Sequence, residues 1–126
     1  MTAPRLSPGL LAWIGVFGAP AAWTLQHVFG LGITLAACNP GGRPDDIAVN
    51  TVTIVLMAAA AATAAAGTVA AVLAFLAMRG TAKDDPPPSG RIFFMAVVGM
   101  TTSPLFLAII LMSGSGVLSH TVCQQS

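Results

Sequence analysis

The sequence predicts an all-α integral membrane protein with three transmembrane helices, its N-terminus in the cytoplasm and its C-terminus on the periplasmic or extracellular side. Three observations predict it. Of the 126 residues, 56% are hydrophobic and only 7% are charged, and the mean hydropathy is +0.85. A soluble domain carries about 25% charged residues, so this chain could not coat a water-facing surface. The nine charged residues fall in short clusters that leave three charge-free stretches, 6–42, 47–78 and 92–126. Each stretch holds one apolar span of roughly 20 residues, and none holds two spans with a turn between them. Finally, Arg5, Arg79, Lys83 and Arg91 fall on one side and Arg43 alone on the other. The positive-inside rule puts the richer side in the cytoplasm.

The same numbers exclude other classes. A chain this apolar is not disordered, and a net charge of +1 is no footprint for nucleic acid. The expectation is a single membrane domain over 1–126, with no soluble domain.

The first span is placed at about Leu10 to Ala37. It ends in Asn39-Pro40-Gly41-Gly42-Arg43-Pro44, a strong breaker cluster, so that 38–48 forms the outer loop. Asp45 or Asp46 is suited to cap the second span, about Val49 to Met78. The cytoplasmic loop, 79–91, contains Pro86-Pro87-Pro88-Ser89-Gly90, which reads as non-helical. The third span is about Ile92 to Leu118. Each span is longer than the hydrocarbon core requires, so tilt or protruding ends are expected. Trp13 suits an interfacial position, whereas Trp23 falls mid-span.

The topology puts Cys38 and Cys123 on the same outer side, where thiols oxidise. A disulfide between them would close a loop of 85 residues, worth on the order of 4 kcal/mol in the chain-entropy view. Two free thiols, intermolecular pairing, or acylation of Cys38 stand as alternatives. Leu35-Ala36-Ala37-Cys38 looks like a bacterial lipobox, although the apolar run before it is longer than the 7–15 residues of a signal h-region.

Ionisable groups at membrane depth are site candidates. His27, beside Gln26, lies about 16 Å inside Cys38 at 1.5 Å per residue. Haem ligation, a proton relay, or a neutral structural histidine are the readings. The other histidine, His120, lies at the outer surface, too far along the third span to share a haem with His27. Met57, Met100 and Met112 remain as possible second ligands, though Met in an apolar helix is usually packing. Thr101-Thr102-Ser103-Pro104 marks the third span. Pro104 frees the Met100 carbonyl, so a kink is expected there, with neighbouring hydroxyls serving the freed groups. No acidic residue lies inside a span, which argues against an ion-coupled carrier. No catalytic or phosphate-binding motif is present, and the protein reads as no enzyme by itself.

Small residues dominate the second span. Ala59, Thr63, Gly67 and Ala71 recur every four residues and form a predicted helix-packing stripe. Small residues also occupy its other faces, and glycines cluster in the first and third spans. Three helices cannot use all these surfaces among themselves, which points to a larger assembly.

Gly18-Ala19-Pro20-Ala21-Ala22-Trp23, then Gln26-His27, then a span closing in Cys38 with Cys123 after the last span, resembles small bacterial three-span proteins encoded beside haem–copper oxidase and other respiratory-chain genes. Their pattern has a glycine–proline turn, Ala-Trp, a mid-span histidine and two cysteines. The resemblance covers about a third of the chain. It implies an accessory subunit of a respiratory, cytochrome oxidase-type complex in the bacterial inner membrane, with larger membrane subunits and lipid as partners and no cofactor of its own. Two other functions stay open. One is a haem- or quinone-binding electron carrier using His27. The other is a homo-oligomeric small channel or transporter lined by Thr101, Thr102, Ser103 and His27.

Overall fold

A computed structural model describes residues 5–38, 46–81 and 84–119, without the side chains of 46–48. These form three helices and no strand: α1, Pro8–Ala37; α2, Asp46–Ala77; and α3, Ser89–Ser119. All three are long and apolar enough to cross a membrane. With 30, 32 and 31 residues, they run about 45–48 Å at 1.5 Å per residue, beyond the roughly 30 Å of a hydrocarbon core.

The ends follow local chemistry. Pro8 opens α1, where its missing N–H costs nothing, and the Ser7 hydroxyl accepts from the Leu10 amide at 3.3 Å. Asp45 lies outside the described residues; α2 begins at Asp46. Ser89 and Gly90, read from sequence as linker, belong to the first turn of α3. The Pro88 carbonyl accepts from the Ile92 amide at 3.0 Å. The proline run therefore ends at the start of the helix, because first-turn residues need no intrahelical donor partner.

Neither internal proline interrupts its helix. Pro20 lies within α1 and Pro104 within α3, so helix runs through Gly18-Ala19-Pro20 where the resemblance implied a turn. The hydroxyls beside Pro104 do not take the expected role. Thr101 donates to the Val98 carbonyl at 2.8 Å and Thr102 to the same carbonyl at 2.9 Å, while Ser103 reaches another helix.

Each helix packs on the other two, with α2 antiparallel to both α1 and α3, in successive layers. At one end lie Ala12, Ala74 and Ala96, flanked by Leu11, Phe75, Ile92 and Met95. Next comes a backbone-close crossing of Gly15, Ala71 and Gly99. A Cβ on Gly15 would sit 2.7 Å from the Ala71 Cβ, and one on Gly99 only 2.9 Å from the Gly15 carbonyl carbon. Gly67 then faces the Ile14 carbonyl and the Ser103 hydroxyl. Beyond it, Ala19, Ala22, Ala60, Ala64 and Ile110 form a second core, covered by Trp23, Met57 and Phe106. Past that, Met57 occupies the space where Gly114 lacks a side chain.

Apart from Val49 and Ala70, the buried positions of α1 and α2 recur at alternating three- and four-residue steps: Ala12, Gly15, Ala19, Ala22 on α1, and Ala60, Ala64, Gly67, Ala71, Ala74 on α2. That is heptad spacing, the pattern that keeps one seam facing a partner. Of the predicted stripe, Gly67 and Ala71 are buried, but Ala59 and Thr63 are exposed. A strict four-residue step turns about 40° too far each time, so three steps carry the stripe about 120° round the helix.

Candidate functional site

The buried column of α1 stops at Ala22. Beyond it the three helices leave a cavity of about 320 Å³, lined by Gln26, His27 and Thr34 of α1, by Thr53 and Leu56 of α2, and by Ser113 and Val117 of α3, among others. Antiparallel neighbours bring the C-terminal half of α1, the N-terminal half of α2 and the C-terminal half of α3 to this end. The end is the one next to the loop between α1 and α2. Gly30 and Gly116 widen the cavity: nothing lies within 4 Å of a Cβ placed on either.

His27 is held by its own helix. Its Nδ1 lies 3.1 Å from the Trp23 carbonyl oxygen. A carbonyl only accepts, so this hydrogen bond requires the proton on Nδ1, and the neutral ring then carries a bare lone pair on Nε2. The ring also lies against Trp23, centroids 4.5 Å apart. Trp23 in turn meets Phe106 edge-on at 5.7 Å. The mid-span tryptophan is therefore a strut between α1 and α3 that fixes the histidine ring.

The polar lining offers both acceptors and donors, since the Gln26 side-chain amide nitrogen and the Ser113 hydroxyl each carry protons to give. Gln26 Oε1 is buried with no hydrogen-bond partner. Thr34 and Thr53 spend their hydroxyl protons on the Gly30 and Val49 carbonyls of their own helices, both at 2.8 Å, which leaves oxygen lone pairs. Asn50 Oδ1, one turn before Thr53, is likewise buried and unpartnered, as is the donor Trp23 Nε1, although neither residue lines the cavity. No Asp, Glu, Lys or Arg is among the lining residues.

The other sequence-singled residues separate. Ser103 is fully buried and donates to the Gly15 carbonyl of α1 at 2.6 Å. It lies in the closed crossing, whereas Thr101 is exposed on α3, so the structure does not bring Thr101, Ser103 and His27 together on one pathway. Gly67 and Ala71 belong to the crossing, and Pro104 follows Ser103 in α3. Among the described residues no cysteine is free, and Cys38 closes α1, its amide donating to the Thr34 carbonyl at 2.9 Å. Cys123 and His120 lie outside the described residues. Among the described residues no group of three metal-ligating side chains occurs.

Sequence reasoning singled out Gln26 and His27 but missed Thr34, Thr53 and Ser113. An isolated hydroxyl in an apolar helix carries no signal until three helices are superposed, because Ser and Thr commonly bond back to their own turn. Comparison of the chain with protein-family models, with curated proteins and with solved structures finds no match.

Proposed function

We propose that the protein is a small accessory subunit of a larger membrane complex, of the respiratory, cytochrome oxidase type, in the bacterial inner membrane. The observation that carries the subunit reading is the middle of the outer face of α2, between the bulky exposed Val55 and Val69. Ala58, Ala59, Ala62, Thr63, Ala65 and Ala66 are all exposed, so this stretch offers lipid almost no side-chain relief. The outer faces of α1 and α3 are different, with Trp13, Phe17, Phe29 and Leu35 on one and Phe94, Leu105 and Met112 on the other. Bulky apolar side chains suit lipid, whereas a bare backbone surface suits another helix at close range, since helix association in lipid is driven by packing. The oxidase assignment comes from the resemblance of α1 and its cysteine. The N-terminus is assigned to the cytoplasm and the C-terminus to the outside from the basic residues, and Cys38 is paired with Cys123 on that outer side.

A tagged copy purified in mild detergent tests this. Larger membrane subunits should co-purify; a lone three-helix monomer overturns the reading.

The cavity favours a second reading, in which the protein holds a lipid-soluble ligand at His27. No second axial ligand for haem stands beside His27 among the cavity-lining residues, which favours an organic ligand over haem.

A further inference from the structure

We infer that the end of the bundle carrying Arg5, Arg79 and Arg91 is a docking surface for an anionic phospholipid, with its phosphate among the arginines and an acyl chain along a groove of α1 at Trp13 and Phe17. This rests on the membrane-spanning character of the three helices and holds whatever complex the chain joins.

The antiparallel order gathers the three arginines, one from each helix or its flank. Ala12, Ala74 and Ala96 share one layer. Arg79 and Arg91 each stand five residues outside that layer, about 7.5 Å at 1.5 Å per residue, and Arg5 stands seven residues outside it. The feet of α1 and α3 touch beside them, since a Cβ on Gly9 would meet Ile92 Cδ1 at 3.7 Å. All three arginines are exposed, and among the described residues none of them is engaged in an ion pair. By sequence this end has four basic and two acidic residues, a net +2, whereas the other end has Arg43 against Asp45 and Asp46, a net −1. Basic residues at a membrane surface attract anionic lipid.

An apolar groove continues from this charged end. Trp13 and Phe17 stack with ring centroids 5.1 Å apart, both about half exposed. With Ile14, Gly18 and Ala21 they line a groove along α1. Gly18 keeps it open, because a Cβ there would meet only Ile14 Cγ2, at 3.8 Å. The groove starts at Trp13, one residue past the Ala12 layer, and leads away from the arginines.

Cations outermost, an aromatic ring below them and an apolar channel deeper is the order of a phospholipid: phosphate, glycerol, acyl chain. The interfacial region of one leaflet is about 5–7 Å thick, close to the rise from the Ala96 layer to Arg91. A zwitterionic lipid brings its own cation to the arginines and gains less. A free phosphate uses the arginines alone, and an acidic protein segment leaves the groove empty. An anionic phospholipid uses both.

The test is native mass spectrometry of the whole protein released from detergent, titrated with phosphatidylglycerol and phosphatidylcholine of identical acyl chains, with inorganic phosphate as competitor. Phosphatidylglycerol should bind saturably and more tightly than phosphatidylcholine. Arg5→Gln, Arg79→Gln and Arg91→Gln should each weaken it about fivefold, the worth of one basic residue near an anionic surface, and leave phosphatidylcholine unmoved. Arg43→Gln, at the other end, should change nothing. Ala21→Leu, at an exposed position of the groove, should weaken both lipids with the helical content unchanged. Equal binding of the two lipids, or full retention of phosphatidylglycerol by the triple arginine variant, overturns the inference and leaves an acidic protein segment as the partner of the arginines. Displacement by inorganic phosphate overturns it in favour of a bare anion site, and unchanged binding in Ala21→Leu removes the acyl chain from the groove. Each of these failures leaves the subunit reading intact, because co-purification reads that separately.

Discussion

The Ser103 hydroxyl donates to the Gly15 carbonyl at 2.6 Å across 88 residues of sequence, at the level where Gly15, Gly99 and Ala71 bring three backbones together. A serine suits this position because its hydroxyl bridges a short gap that a larger side chain would open. In lipid such interhelical bonds average about 0.6 kcal/mol. Ser103→Ala should therefore destabilise the purified bundle by about 0.6 kcal/mol in detergent unfolding, whereas Ser103→Leu should cost about 1–3 kcal/mol through overpacking.

Glycine at position 15 is required by space. A Cβ there would lie 2.7 Å from the Ala71 Cβ and 2.9 Å from its Cα, contacts that only a shift of backbone relieves. Gly15→Ala should cost about 1–3 kcal/mol. Gly32→Ala is the control, because nothing lies within 4 Å of a Cβ at that site. That variant should be neutral or stabilising by up to about 1 kcal/mol through helix propensity. The same unfolding experiment reads both.

The outer face of α2 gives a prediction that separates folding from assembly. Ala62 is exposed, so Ala62→Phe should leave the melting behaviour of the isolated protein unchanged. It should abolish co-purification of the larger subunits if that face seats a partner helix. Phe29→Ala, on the bulky outer face of α1, should leave co-purification as it is. Equal retention of partners by both variants would place the interface elsewhere.

The proposed bridge has an electrophoretic readout. The wild-type chain should migrate faster without reductant than with it, and Cys123→Ser should abolish the difference. Loss of the bridge should cost on the order of 4 kcal/mol, the loop-closure figure for a sequence separation of 85. Intact mass of the membrane-extracted protein checks the rival chemistry: an acylated chain beginning at Cys38 would show both a truncation and a lipid adduct.

Topology can be read by labelling. In a cysteine-free background, Asp84→Cys should resist a membrane-impermeant maleimide in intact cells, and Ser119→Cys should react. The reverse pattern would invert the orientation drawn from Arg5, Arg79, Lys83 and Arg91.

Much of the fold is legible in the sequence because the charges mark where helices cannot be buried in lipid. Three charge-free stretches and two breaker clusters account for three helices and their approximate limits. The phase of each helix is not legible. In a soluble protein, polar residues mark the outer face; here both faces are apolar, so nothing distinguished Ala59, which is exposed, from Ala60, which is buried. The four-residue stripe is regular in the sequence, whereas packing follows the heptad step. Pro104 likewise drew attention to its neighbours, but the partner of Ser103 lies on another helix, a relation no local pattern carries. At the candidate site, Gln26 and His27 stand out as polar groups in an apolar span, while the complementary threonines appear only when the antiparallel order aligns the far ends of three helices.

The uneven burial of α1 has a mechanical consequence. Its fully buried residues run from Ala12 to Ala22, and none of the last fifteen residues, to Ala37, is fully buried. Clamped at one end, such a helix is a cantilever about 22 Å long, stiff near Gln26 and His27 and progressively softer toward Thr34. A bridge at Cys38 would turn the cantilever into a beam supported at both ends. Oxidation at the outer surface would then set how far the mouth of the cavity can open while its floor stays still, and amide exchange along Val28–Thr34 should slow on oxidation more than exchange around Ala19.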